Sequence, residues 1–151
     1  MIIEKGNYNI DTDKANVDIN FIHSYLSRSY WAEGISKEII ERSVNGSLCF
    51  SVFYQNPKGK REQVGFARMI TDCATFAYLA DVFIIDEHRG KGLSKWLMEV
   101  ILAHPDLQGL RRMMLATRDA HGLYAQFGFT PLTSPERWMQ IHQPDVYKNH
   151  K

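Results

Sequence analysis

The sequence predicts an α+β fold in which helices pack on both faces of a mixed, largely antiparallel central sheet. Three observations lead there. Residues 48–54 and 63–71 are apolar, β-branched and aromatic runs joined by the turn formers Gln55-Asn56-Pro57-Lys58-Gly59-Lys60, so they read as an antiparallel hairpin. Residues 76–85 extend that meander as a long strand. The glycine-rich stretch Arg89-Gly90-Lys91-Gly92-Leu93-Ser94, an amphipathic run over 93–103 and a further apolar run over 112–117 follow it. That order makes a β-α-β unit, right-handed and with its two strands parallel.

In chain order, residues 2–10 are expected to hold one strand. Asp18 is placed to cap a helix through about residue 29, because Phe21, Ile22, Tyr25 and Leu26 fall on one face. Ser36 caps a second helix over 37–44, which Asn45-Gly46 ends. After the hairpin and long strand, Leu93, Trp96, Leu97, Val100 and Ile101 form a single stripe suited to a core face. A turn over 105–109 leads to the strand at 112–117, and the segment around Tyr124 reads as a short helix closed by Gly128. Residues 138–142 form a candidate late strand, and the polar stretch from Pro144 is expected to fray.

At 151 residues, one domain spanning 1–151 is expected, large enough to bury about two thirds of its unfolded surface. Hydrophobic content of 44% and charged content of 23% suit a globular protein. A net charge of +1 argues against nucleic acid as a partner, and Lys58, Lys60 and Arg61 read as a solvated hairpin tip. No apolar run approaches the roughly 18 residues of a membrane span, and no basic segment precedes an apolar core near residue 1. A cytoplasmic location without a membrane partner is therefore expected. Cys49 and Cys73 form no C-x-x-C pair and are expected to be buried, reduced thiols. The six histidines lack ligand spacing, so no metal is expected.

The stretch from Arg89 to Ser94 carries the chemistry. Glycines at 90 and 92 let backbone turn sharply and come close to a ligand. The first amides of the following helix are unpaired donors at the positive end of the helix dipole, so an anion is expected there. A Walker loop is excluded because no Gly-Lys-Ser/Thr ends the run, and Lys95 stands where a dinucleotide fingerprint needs its third glycine.

With Arg89 first, Gly92 fourth and Ser94 last, the run resembles the acyl-CoA pyrophosphate motif R/Q-x-x-G-x-G/A of the GNAT N-acetyltransferases. Serine replaces the usual Gly or Ala. Ala120-His121-Gly122-Leu123-Tyr124-Ala125-Gln126-Phe127-Gly128-Phe129 resembles the family's A-x-x-L-Y-x-x-x-G-F segment, and Asp81-Val82-Phe83-Ile84 resembles its acidic-apolar-aromatic strand before the loop. The three matches occur in family order.

The resemblance implies the GNAT acyl-CoA N-acyltransferase fold, whose two parallel strands splay around a pantetheine arm. It implies acetyl-CoA as acyl donor. Amides from Gly90, Lys91, Gly92, Leu93 and Ser94 would hold the pyrophosphate, with charge from Arg89 and Lys91. Backbone groups of Val82, Phe83 and Ile84 would bind the pantetheine. Tyr124 is the candidate general acid, since an ordinary phenol pKa near 10 suits a departing alkyl thiolate; the structural alternative is a packed ring. Several relatives carry a glutamate on the strand before the loop, whereas Tyr78, Ala80 and Asp81 stand here. Asp81 is the candidate base through water, with a structural hydrogen bond as the alternative. The missing carboxylate at Ala80 counts against a polyamine acceptor.

In the family the acceptor pocket lies at the link between the first two helices. Here that link offers Tyr30 and Trp31 to stack on an amine and Glu33 as countercharge, unless the aromatics only plug the core. The expected activity is direct acetyl transfer to a primary amine of a small molecule or peptide. Three alternatives stay open: a non-catalytic acyl-CoA-binding or regulatory module, a nucleotide binder using the same loop, and a homodimer as the assembly.

Overall fold

The computed structural model of the chain describes residues 1–148. Six strands lie in one sheet in sequence order: β1 (Ile2–Lys5), β2 (Tyr8–Asp11), β3 (Leu48–Gln55), β4 (Arg61–Thr71), β5 (Phe76–Ile84) and β6 (Arg112–Met114). Every neighbouring pair is antiparallel except β5 and β6, which run parallel across the helical crossover.

The helices begin where local chemistry places them. Asp18 accepts from the Phe21 amide at 3.0 Å to cap α1 (Ile19–Leu26), and Ser36 accepts from the Ile39 amide at 3.2 Å to cap α2 (Lys37–Asn45). α3 (Leu93–Leu102) starts directly after Gly92, and α4 (His121–Ala125) is a short turn of helix. The stripe Leu93, Trp96, Leu97, Val100 and Ile101 is buried as expected.

Each sheet face has its own core. α3 packs with Phe50, Val52 and Met69 on one side, while Ile22, Leu26, Ile40 and Val44 of α1 and α2 pack with Phe66 and Phe83 on the other. Leu97 is fully buried, so truncating it to Ala should cost about 2–5 kcal/mol.

Several expectations need correction. The first strand is two: β1 and β2 form a hairpin whose Lys5 pairs with Tyr8 across Gly6-Asn7. α1 stops at Leu26, and β6 stops at Met114 rather than residue 117. The strand expected over 138–142 does not form: the sheet edge it would join, β6, is three residues long, and Met139 and Ile141 are each 96% exposed. Arg61 is no solvated tip, for it pairs with the buried carboxylate of Asp11 at 2.6 Å and stacks on Phe53. Cys49 is buried but Cys73 is exposed in the β4–β5 turn; both are free thiols. Burial pushes the Cys49 thiol up to about 11.

Two irregularities shape the molecule's working side. Phe66 pairs with Phe83 but Arg68 pairs with Ala80, so Ala67 alone stands opposite Asp81 and Val82. This is a β-bulge, and Asp81 takes up its left-handed backbone with φ of 55°. β5 and β6 pair only between Phe76–Ala77–Tyr78 and Arg112–Met113–Met114, and diverge beyond that. Among the described residues, no helix is long and apolar enough to cross a membrane, and no group of three or more His, Cys, Asp or Glu side chains is placed to hold a metal.

Candidate active site

An open cleft of about 1530 Å³ runs through the gap between β5 and β6. The glycine loop lines it, and so does the α1–α2 link with Tyr30, Trp31 and Ala32. Tyr124 and the second half of β5 line it as well.

The loop end is built for an anion. Gly90 and Gly92 adopt φ of 79° and 77°, the left-handed region that side chains disfavour, and a Cβ added to either would meet no protein atom within 4 Å. Their faces are open to the cleft side rather than packed. No side chain caps α3, so its first amides keep their donors for an incoming ligand. Leu93, Ser94 and Lys95 line the cleft, whereas Lys91 stands outside that lining.

Arg89 is used differently from expectation. Its Nε donates to the Ile84 carbonyl at 2.8 Å, one terminal nitrogen to the Tyr25 hydroxyl at 3.1 Å, and the other pairs with Asp86 at 2.6 Å. The guanidinium thus braces the loop against α1 and the end of β5. It also takes the Ile84 carbonyl, leaving that group less available to a ligand. The Phe83 ring lies in the opposite core and stacks on Tyr25 with centroids 3.9 Å apart. Val82 follows the bulge and lines the cleft.

Tyr124 is only 8% exposed, and its ring meets Phe129 edge-on at 5.9 Å. Burial, reinforced by nearby Tyr30, holds its hydroxyl above the ordinary value of a tyrosine. A phenol in that state keeps its proton near neutral pH and is a donor rather than an anion.

Asp81 is engaged at both oxygens. Oδ2 accepts from Arg68 Nε at 2.6 Å and Oδ1 accepts from the Trp31 indole at 2.8 Å. Arg68 donates further to Ser47 Oγ at 3.1 Å, so the network ties four segments together: the α1–α2 link, the turn before β3, β4 and β5. Glu33, expected beside Tyr30 and Trp31, instead pairs with Lys148 at 3.3 Å and does not line the cleft. The reason is its position past the aromatic pair, where the C-terminal stretch passes close to Gly34. Tyr30 and Trp31 are 52% and 40% exposed and meet edge-on at 5.1 Å. They form a wall rather than a core plug.

Three lining residues were missed from sequence: Arg28, Arg68 and Arg118. Arg68 had a signal, being a lone charge inside an apolar strand run. Arg118 stacks on Tyr30, with its guanidinium carbon 3.9 Å from the ring centroid. No local pattern announces that contact.

Comparison with known proteins agrees with this architecture. A protein of Gibberella zeae named as an acetyltransferase is 34% identical over 140 residues, covering 81% of this chain and 78% of its own length. A crystal structure of a GNAT-family protein from Xanthomonas campestris pv. campestris is 50% identical, with a TM-score of 0.88 over 94% of this chain and 97% of that one. A Clostridium acetobutylicum protein solved with acetyl-CoA shares the fold at 15% identity, with a TM-score of 0.63 over 95% of this chain and 99% of that one. The model of the acetyltransferase (GNAT) domain matches residues 44–131, more than half of the chain and the whole stretch that builds the loop, the splayed strands and Tyr124. On those residues and that fold, the chain belongs to the GNAT family of acetyltransferases.

Proposed function

We propose that this protein is an acetyl-CoA-dependent N-acetyltransferase that passes the acetyl group directly to a primary amine. The observation that carries the reading is a single cleft joining an uncapped, glycine-opened helix N-terminus to the buried hydroxyl of Tyr124 through the unpaired half of β5. The relative solved with acetyl-CoA supports the choice of donor. The open faces of Gly90 and Gly92 and the free α3 amides fit a pyrophosphate.

Acetyl-CoA, when bound, supplies an already activated thioester. The chain's task is then mostly position. Amides of residues 90–94 would hold the pyrophosphate, and Val82 beside the bulge would direct the arm toward Tyr124. The amine nitrogen forms its bond to the acyl carbon as the carbon–sulfur bond breaks. The amine proton leaves to water, and Tyr124 gives its proton to the thiolate. Asp81 acts as a brace, because Arg68 and Trp31 occupy both of its oxygens.

That same occupancy favours the second reading, an acyl-CoA-binding module without turnover, since no free carboxylate stands on β5. Two measurements separate the readings. Thermal shift with acetyl-CoA, CoA and ATP should show stabilisation by the first two only. An amine-library screen for released CoA should then find acceptors; stabilisation by acetyl-CoA with no release from any amine would establish the binding module instead.

A further inference from the structure

Resting on the transferase reading, the part of the cleft beside Tyr30 and Trp31 carries a charge pattern of its own. Arg28, Arg68 and Arg118 all line it. Arg68 is neutralised by Asp81. Arg28 donates Nε to the Ser24 carbonyl at 2.8 Å, which anchors the side chain and leaves its terminal nitrogens for another partner. Arg118 sits over the Tyr30 ring and, among the described residues, forms no ion pair. Of the aspartates lining the cleft, Asp81 pairs with Arg68 and Asp86 with Arg89, while Asp119 pairs with neither Arg28 nor Arg118.

Contact with the Tyr30 ring holds the Arg118 guanidinium in place, while the residue as a whole stays exposed. A guanidinium held that way matches a carboxylate by two parallel hydrogen bonds. Tyr30 lies beneath it and is also near enough to Tyr124 to act on that hydroxyl electrostatically. Arg118 and Tyr124 line the same cleft. Glu33, the only acid on the link, is drawn off by Lys148, so Asp119 is the one carboxylate left to set against the two unpaired arginines, and the balance there is cationic.

We propose that the acceptor is an amine that also carries a carboxylate, as an amino acid does, and that Arg118 and Arg28 bind that carboxylate while Tyr30 and Trp31 flank the rest. The two cations disfavour polyamines and favour an anion beside Tyr30.

The test is a panel of matched amines assayed for CoA release, each acid set beside its carboxylate-free partner: phenylalanine with phenylethylamine, tryptophan with tryptamine, alanine with ethylamine. A dipeptide with free or amidated C-terminus distinguishes a peptide source from a free amino acid. The acid of a pair should exceed its partner in kcat/KM by about tenfold or more. Arg118→Gln should bring that ratio to within about threefold of one while acetyl-CoA affinity stays within about twofold, and the exposed position makes misfolding unexpected. The inference is overturned, and the transferase reading stands, if carboxylate-free amines serve equally well. Acid preference surviving in an Arg28→Gln/Arg118→Gln double variant overturns it too. If acetyl-CoA stabilises the protein but no amine releases CoA, the transferase reading fails first and the acceptor assignment falls with it.

Discussion

The Trp31 indole donates to Asp81 Oδ1 at 2.8 Å, fastening the link between α1 and α2 to the bulge of β5 across the cleft. One wall of the site thereby takes its position from the strand that forms its floor. Replacing Trp31 by Ala removes both the aromatic surface and this tie. The amine KM should rise, or the order of preference among amines should change, with the acetyl-CoA Kd near wild type. An unaltered preference order across the panel would count against this wall.

Asp81→Asn tests whether the carboxylate braces or reacts. Asn tolerates the left-handed backbone and can still accept from Trp31, so the variant removes mainly the charge opposite Arg68. Side-chain exposures of 17% for Arg68 and 9% for Asp81 make the pair largely buried, and its loss should lower stability by about 3 kcal/mol in urea unfolding. Turnover should fall far less than in Tyr124→Phe. A full loss of turnover with unchanged stability would make Asp81 the base.

Tyr124→Phe removes one hydroxyl from a ring that stays packed on Phe129. Turnover should drop about 10²-fold while acetyl-CoA affinity changes little. Because burial raises the Tyr124 pKa, the limb of the kcat/KM profile on which the acid is lost should lie above the usual tyrosine value of about 10. Full activity in the variant would assign the proton to water.

Gly92 tests the cradle. With φ of 77°, Ala there costs about 1–2 kcal/mol in backbone strain and Val somewhat more, while the added Cβ meets only open space. Both variants should fold, and Gly92→Val should lose acetyl-CoA binding by calorimetry because its side chain fills the phosphate approach. Wild-type affinity in a folded Val variant would move the anion site elsewhere.

Asp11 anchors the far side of the sheet. Burial pushes its carboxyl up, but hydrogen bonds from Arg61, the Asp13 amide and Asn16 outweigh that and hold it below the ordinary carboxylate range. A depressed pKa stabilises the fold above the unfolded value of about 4, and the gain disappears as pH falls through the folded value. Asp11→Asn should therefore be less stable than wild type near pH 7, with the two unfolding curves converging as pH drops below about 4.

What could be read from the chain alone follows the range of the interactions. Asp18, Ser36 and the Gly90–Gly92 loop act within a turn of their own position, and each stands where its local chemistry put it. Residues 138–142 alternate like a strand, yet a strand needs an edge, and β6 is too short to supply one. The Gly6-Asn7 turn is a signal legible inside the span that reads as one strand. Asp81 stays open between base and structural acceptor in the sequence because its partners, Arg68 and Trp31, come from other elements. Glu33 looked like a countercharge for the same reason, with Lys148 far along the chain as its counterpart.

The three-residue seam between β5 and β6 has a consequence for how the protein breathes. Past Tyr78 the outer backbone groups of β5 lack a sheet partner, so an extended, amide-bearing arm laid there stands in for a missing strand. Ligand and sheet then compete for the same hydrogen bonds. Hydrogen exchange along the outer edge of β5 should slow on loading, and any substitution that zips β6 further along β5 should make the empty protein sturdier at the expense of its affinity.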